Sequence, residues 1–198
     1  MLGHPIYSEP PNPQSASPRP MSRPPPLTPT QLNQHLEQTL TLQNKALQLH
    51  NKRPFVAVLI APDNEEVLLT HFSIDHVNHA ESCLARLAAS HYSQLYLWQC
   101  TLISTWEPCA MCSGTIYWAN IGRVYYAASE EKLKELTGVG NMENFTMHLP
   151  CRSIFAGGQK NVEVFGPLPR WEEAVVAASD RYWKPIRDQT RVQGGELS

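Results

Sequence analysis

Two short segments of this 198-residue chain carry side chains able to do chemistry: His79-Ala80-Glu81 and Pro108-Cys109-Ala110-Met111-Cys112. Cys109 and Cys112 lie three residues apart in what reads as the first turn of a helix opened by Pro108, so both thiols project to one side. A helix N-terminus carries partial positive charge, which favours thiolates. With the imidazole of His79, placed at the start of a second helix, they make a three-ligand zinc site whose fourth tetrahedral position is open. Water admitted there is acidified towards neutrality. Glu81 sits two residues after the histidine, in the same first turn, and can reach that water without ligating the metal. It is placed to take the water's proton and hand it on to a bound substrate.

Two other uses of these residues compete. A purely structural zinc knot would need a fourth ligand, from Cys83, Cys100, Cys151 or a spare histidine, and would leave Glu81 without a role. A redox C-x-x-C pair would need a thioredoxin-like context, which is missing. Cys83, one helical turn after His79, reads as a core thiol, as do Cys100 and Cys151.

The combination of H-x-E with P-C-x-x-C is a zinc deaminase signature. From Phe55 to about Leu168 the chain resembles the cytidine deaminase-like superfamily. The most specific stretch is Glu107-Pro-Cys-Ala-Met-Cys-Ser-Gly-Thr-Ile-Tyr-Trp-Ala-Asn-Ile-Gly-Arg-Val-Tyr-Tyr-Ala-Ala128. It is similar to the branch holding guanine deaminases, tRNA adenosine deaminases and fungal-type cytosine deaminases, and Tyr117-Trp118-Ala119 resembles guanine and nucleoside deaminases in particular. The resemblance implies zinc-dependent hydrolytic deamination of a nucleobase or nucleoside, with His79, Cys109 and Cys112 as Zn2+ ligands and Glu81 as the catalytic proton carrier. It also implies a homodimer, and a substrate edge bound by backbone N–H groups at Ala80 and Cys109. A guanine-type purine ranks ahead of cytosine as substrate; a tRNA adenosine deaminase (or one subunit of it) and a non-catalytic zinc scaffold are the alternatives.

Three departures from the family pattern all touch the substrate pocket. The asparagine carried upstream of the histidine by base-deaminating relatives is absent from Thr70-His71-Phe72-Ser73-Ile74, where Ser73 or His71 could stand in. Asp75-His76-Val77-Asn78 replaces Asp-Pro-Thr-Ala, and Leu136-Thr137-Gly138-Val139-Gly140 replaces a Gly-Phe-Asp segment. Trp106 is a candidate wall for the base.

The elements that must position these residues alternate. Thr28, Pro29 and Gln31 form a capping box ahead of a helix to about Leu49, striped by Leu32, Leu36, Leu40 and Leu47. Strands are expected at Phe55–Ala61, Val67–Phe72, within Leu95–Thr105, at Arg123–Ala128 and at Val162–Phe165. Helices are expected at His79–His91, Pro108–Trp118, after Ser129, and over a final stretch with Trp171, Val175, Ala178 and Tyr182 on one face. Residues 139–160 read as irregular apart from a turn near Cys151–Phe155. The fold expected is a three-layer α/β/α sandwich on a mixed sheet of about five strands.

Residues 1–28 hold nine of the 17 prolines and read as a disordered tail, 29–185 as the zinc deaminase domain, and 186–198 as a flexible C-terminal tail. The chain's formal net charge is −2. Phosphate-backbone binders show a basic face, so this balance favours a small-molecule partner over nucleic acid. No apolar run is long enough for a membrane span, and five cysteines with no disulfide framework suit an intracellular protein, cytoplasmic or nuclear.

Overall fold

A computed structural model describes residues 22–195 apart from 51, with side chains to residue 189. Its elements are α1 (Pro29–His50), β1 (Val56–Ile60), β2 (Val67–Phe72), α2 (Ala80–His91), α3 (Gln94–Leu97), β3 (Thr101–Trp106), α4 (Ala110–Ala119), β4 (Arg123–Ala128), α5 (Glu130–Thr137), α6 (Cys151–Ala156), β5 (Glu163–Phe165) and α7 (Pro169–Gly195). The strands form one sheet in the order β2-β1-β3-β4-β5. The first two pairings, β1 with β2 and with β3, are antiparallel; β3–β4 and β4–β5 are parallel. Every residue of β1, β3 and β4 is buried, because helices cover both faces. One face carries α2, α4 and α6 over Leu59, Leu102 and Val124; the other carries α1, α5 and α7 over Val58, Ile103 and Tyr125. This is the expected three-layer sandwich.

Local signals set most boundaries. Gln31 N–H donates to Thr28 Oγ1 (3.3 Å) and Thr28 N–H to Gln31 Oε1 (3.1 Å), closing the capping box before α1. Between β1 and β2 the Asp63 carboxylate accepts from Glu65 and Glu66 N–H, while Asn64 takes the left-handed conformation at φ 65°. Ser129 caps α5, and Gly138 ends it at φ 82°.

The structure departs from the sequence reading in five places. The buried face of α1 is His35, Leu36, Thr39, Gln43 and Ala46 rather than the leucine stripe. Each interior polar side chain gains one partner there: His35 Nε2 meets Asn64 O at 2.9 Å and Gln43 donates to Ser179 Oγ, while His35 Nδ1 and Gln43 Oε1 are buried without one. In α7 the inner face is Trp171, Val175, Ser179 and Trp183, one step on from Ala178 and Tyr182. That helix also runs through Pro185 to Gly195, past the expected start of a C-terminal tail at 186. A four-residue helix capped by Ser93, not expected from the sequence, occupies the start of the Leu95–Thr105 stretch, and the strand expected within that stretch is Thr101–Trp106. Residues 23–27, placed in the N-terminal tail by composition, are packed instead: Leu27 is buried, Arg23 donates to Gly122 O and Asn161 O, and Arg123 donates to Pro24 O and Pro25 O. The expected disorder of residues 1–21 and 196–198 lies outside the described residues.

Candidate active site

Two helix N-termini converge at the carboxyl end of β3. His79 is the N-cap of α2 and Cys109 the N-cap of α4, two residues later than an opening at Pro108 would give. Neither side chain makes the capping hydrogen bond usual at that position, so both are free to turn towards each other. His79 Nδ1 lies 3.6 Å from Cys109 Sγ and 3.6 Å from Cys112 Sγ, and the three atoms fall within 4.8 Å of one another. Ligands held about 2.0 and 2.3 Å from one tetrahedral centre stand about 3.5 Å apart, so the donor set fits zinc in both type and spacing. Among the described residues this is the only such cluster; Cys83 donates instead to Asn78 Oδ1 at 3.8 Å, and Cys100 and Cys151 are core thiols.

The thiols are electrostatically unequal. Cys109 is pulled down, first by the hydrogen bond from Cys112 and then by His79. Cys112 is pushed up, because it keeps the shared proton and is buried. His79 is raised by its bond to Cys109. A cation takes the place of these protons between the same three atoms.

Glu81 stands beside the cluster, 4% exposed. Ser104 Oγ, from the centre of β3, donates to Oε1 at 2.5 Å, and Cys112 Sγ lies 3.5 Å from Oε2. Burial raises the carboxyl's pKa against the opposing pull of the Ser104 bond. A carboxyl whose protonated form is favoured by burial is suited to carry a proton.

The cluster opens on a narrow cavity of about 40 Å³ whose walls include Phe55, Trp106, Leu133 and Asn144, with Glu107 and Glu130 on one side and Arg53 at the rim. Small-molecule pockets typically hold about 300–1,000 Å³, so seating a base requires the outer lining to shift. Larger clefts occur elsewhere; one of about 510 Å³ shares Glu107 and Glu130 with this cavity.

Trp106 does line the cavity and is fixed by an Nε1 bond to Pro54 O (3.2 Å). Ser73 does not line it: its hydroxyl donates to Asp75 O (3.4 Å) and the residue is buried. Ala80 is fully buried as the first residue of α2 and contributes no lining either. Sequence reading missed Ser104, Arg53, Asn144 and Glu130. Arg53 pairs with Glu143 at 2.7 Å and contacts His76, while Tyr182 Oη donates to the same Glu143 carboxylate. Glu143 and Asn144 reach the rim through a turn in which Asn141 donates to Thr137 O and accepts from Glu143 N–H.

Known proteins agree with this architecture. Residues 29–128, half of the chain, match the family described as "Cytidine and deoxycytidylate deaminase zinc-binding region". The chain is 30% identical over 129 residues to the "Probable cytosine deaminase" of Schizosaccharomyces pombe, a match covering 63% of this chain and 76% of that one. With the guanine deaminase of Bacillus subtilis it shares 32% identity over 105 residues, 50% of this chain and 66% of the relative. The fold is that of the guanine deaminase of Nitrosomonas europaea, with a TM-score of 0.59 at 18% identity over 81% of this chain and 87% of the other. The chain belongs to the cytidine and deoxycytidylate deaminase zinc-binding family. Its cofactor is Zn2+, for which His79, Cys109 and Cys112 are positioned.

Proposed function

We propose that this protein is a zinc-dependent hydrolytic deaminase of a free nucleobase or nucleoside, with a guanine-type purine ahead of cytosine as substrate. The observation that carries the reading is Glu81: a buried carboxyl, held by Ser104, beside a three-residue cluster that leaves a tetrahedral ion one position short. A structural zinc knot has no use for such a group.

His79, Cys109 and Cys112 would hold the ion, which when bound would supply the Lewis acidity that makes a water nucleophilic near neutral pH. Glu81 takes the proton that water loses, delivers it to the ring nitrogen next to the carbon under attack, and passes another to the departing amine. Ser104 keeps the carboxyl oriented through both transfers. Phe55 and Trp106 offer faces against which a flat ring packs, and they exclude bulk water. The net reaction replaces an exocyclic amine by a carbonyl and releases ammonia.

Net charge of −2 and carboxylates at the cavity favour a free base or nucleoside over a base flipped out of RNA. A homodimer is the assembly we favour: Val139, Met142 and Phe145 are 94, 80 and 72% exposed on one short segment, the kind of apolar surface a partner covers. Light scattering on the zinc-loaded protein tests that assembly.

The function is tested by ammonia release from guanine, guanosine, cytosine, cytidine, adenine and adenosine, with zinc content measured alongside. Release from one substrate that disappears in Glu81→Ala, zinc retained, is the expected result. Silence on all six from zinc-loaded protein would move the reading to a tRNA adenosine substrate, and activity surviving Glu81→Ala would overturn the mechanism.

A further inference from the structure

Glu130 lines the cavity but has no employment in the scheme above. It is the first residue of α5, but Ser129 caps that helix by accepting from Lys132 N–H at 3.3 Å, so the Glu130 carboxyl is not needed there. Its own N–H donates to Glu107 Oε2 at 3.2 Å. The residue is 6% exposed and lines the cavity with His79, Glu81 and Cys109, yet its Oε2 is buried with no hydrogen-bond partner. Leaving a buried polar atom unpaired costs about 1–3 kcal/mol, which a ligand atom meeting it recovers.

Its surroundings determine what it can bind. Burial acts first, and the nearby Cys109, Glu107 and Glu81 all add negative charge, so the Glu130 carboxyl is pushed up to about 8. A neutral carboxyl presents an O–H donor beside a carbonyl acceptor. The matching surface is a C=O beside an N–H. Resting on the deaminase reading of the same site, we propose that Glu130 is the base-reading residue: its carboxyl exchanges paired hydrogen bonds with the lactam edge of a guanine-type purine. Adenine has no carbonyl on that edge, and a methyl on the ring nitrogen removes the donor.

The test measures binding apart from turnover. In zinc-loaded, full-length protein carrying Glu81→Gln, equilibrium dialysis compares guanine, 1-methylguanine and adenine, with residue 130 as Glu, Gln or Met. Methionine keeps the shape and removes both hydrogen-bonding groups; glutamine keeps a donor beside an acceptor. Expected is a loss of guanine affinity of roughly 10- to 100-fold in Glu130→Met, recovered to within about threefold in Glu130→Gln. The two control ligands should bind weakly and ignore both changes. The ratio of guanine to 1-methylguanine affinity with Glu130 intact probes the same contact with no change at residue 130, and should also be roughly 10 to 100. Equal losses for all three ligands, no loss in Glu130→Met, or no detectable guanine binding would each overturn the inference. Ammonia release by the wild type with Glu130-indifferent binding sinks this inference and spares the deaminase reading; Glu130-dependent binding without ammonia release does the reverse.

Discussion

The two ends of the candidate active site are built by different means. The metal-holding end hangs on two helix N-termini, packed by Ala80, Leu84, Ala85 and Ile116 against strands with no exposed residue. The substrate-facing rim comes partly from the irregular segment between α5 and α6, which exposes most of its apolar side chains and is tied down by a few polar contacts around Glu143. Close packing fixes His79, Cys109, Cys112 and Glu81 relative to one another; individual hydrogen bonds and ion pairs fix the rim. The metal-holding cluster therefore sits in the part that cannot move without unpacking the core, and part of the cavity's rim in the part that can.

That contrast can be broken or sharpened by substitution. At the packed end, Glu81→Gln should lower kcat roughly 1,000-fold while zinc stoichiometry stays unchanged, as read by steady-state ammonia release and metal analysis. Ser104→Ala removes the donor to Glu81 and should lower kcat about 10-fold with KM within about twofold. A rise in KM matching the fall in kcat would place Ser104 with the substrate and not behind the carboxyl. At the rim, Arg53→Ala cuts the tie to Glu143, so KM should rise about fivefold with kcat nearly constant; a collapse of kcat would show that the rim takes part in the chemistry.

The smallest effect concerns stability. Glu130 has a raised folded-state pKa of about 8, so the folded state keeps a proton that the unfolded chain loses near pH 4.3. Stability therefore falls as pH rises from about 4.3 to about 8 and levels off above that. Glu130→Gln removes this penalty, and its Tm advantage should grow from near zero at pH 4.5 to at least several °C at pH 8.5. An advantage independent of pH would mean that the carboxyl is not buried as described.

Legibility in sequence divides along the same line. His79, Glu81, Cys109 and Cys112 stand out because residue type, local spacing and helix starts all point to one use. Nothing marks Ser104 among the other small residues of β3, because its role exists only once Glu81 is brought over from α2. Glu130 has a sufficient local explanation as an acidic residue in a helix's first turn, and Arg53 as part of a helix stop, so neither signals a pocket. Strand positions were readable from apolar runs, since β1, β3 and β4 are covered on both sides. The inward faces of α1 and α7 were not, because His35, Gln43 and Ser179 are interior polar groups whose partners come from distant segments or from each other.

The strap formed by Arg23, Pro24 and Pro25 bears on where this protein can be shortened. Arg123, on β4, is 2% exposed, and its guanidinium is satisfied by Glu163 together with the two proline carbonyls. Trimming the proline-rich leader back to the first helix, as composition alone would suggest, strips two acceptors from a buried cation and uncovers Trp98, over which Arg23 lies at 4.7 Å. Lost bonds of that kind cost about 3 kcal/mol or more, a sizeable part of a domain's margin against unfolding. A minimal version of this protein must keep Arg23, which among the described residues makes its contacts six residues before the first helix begins.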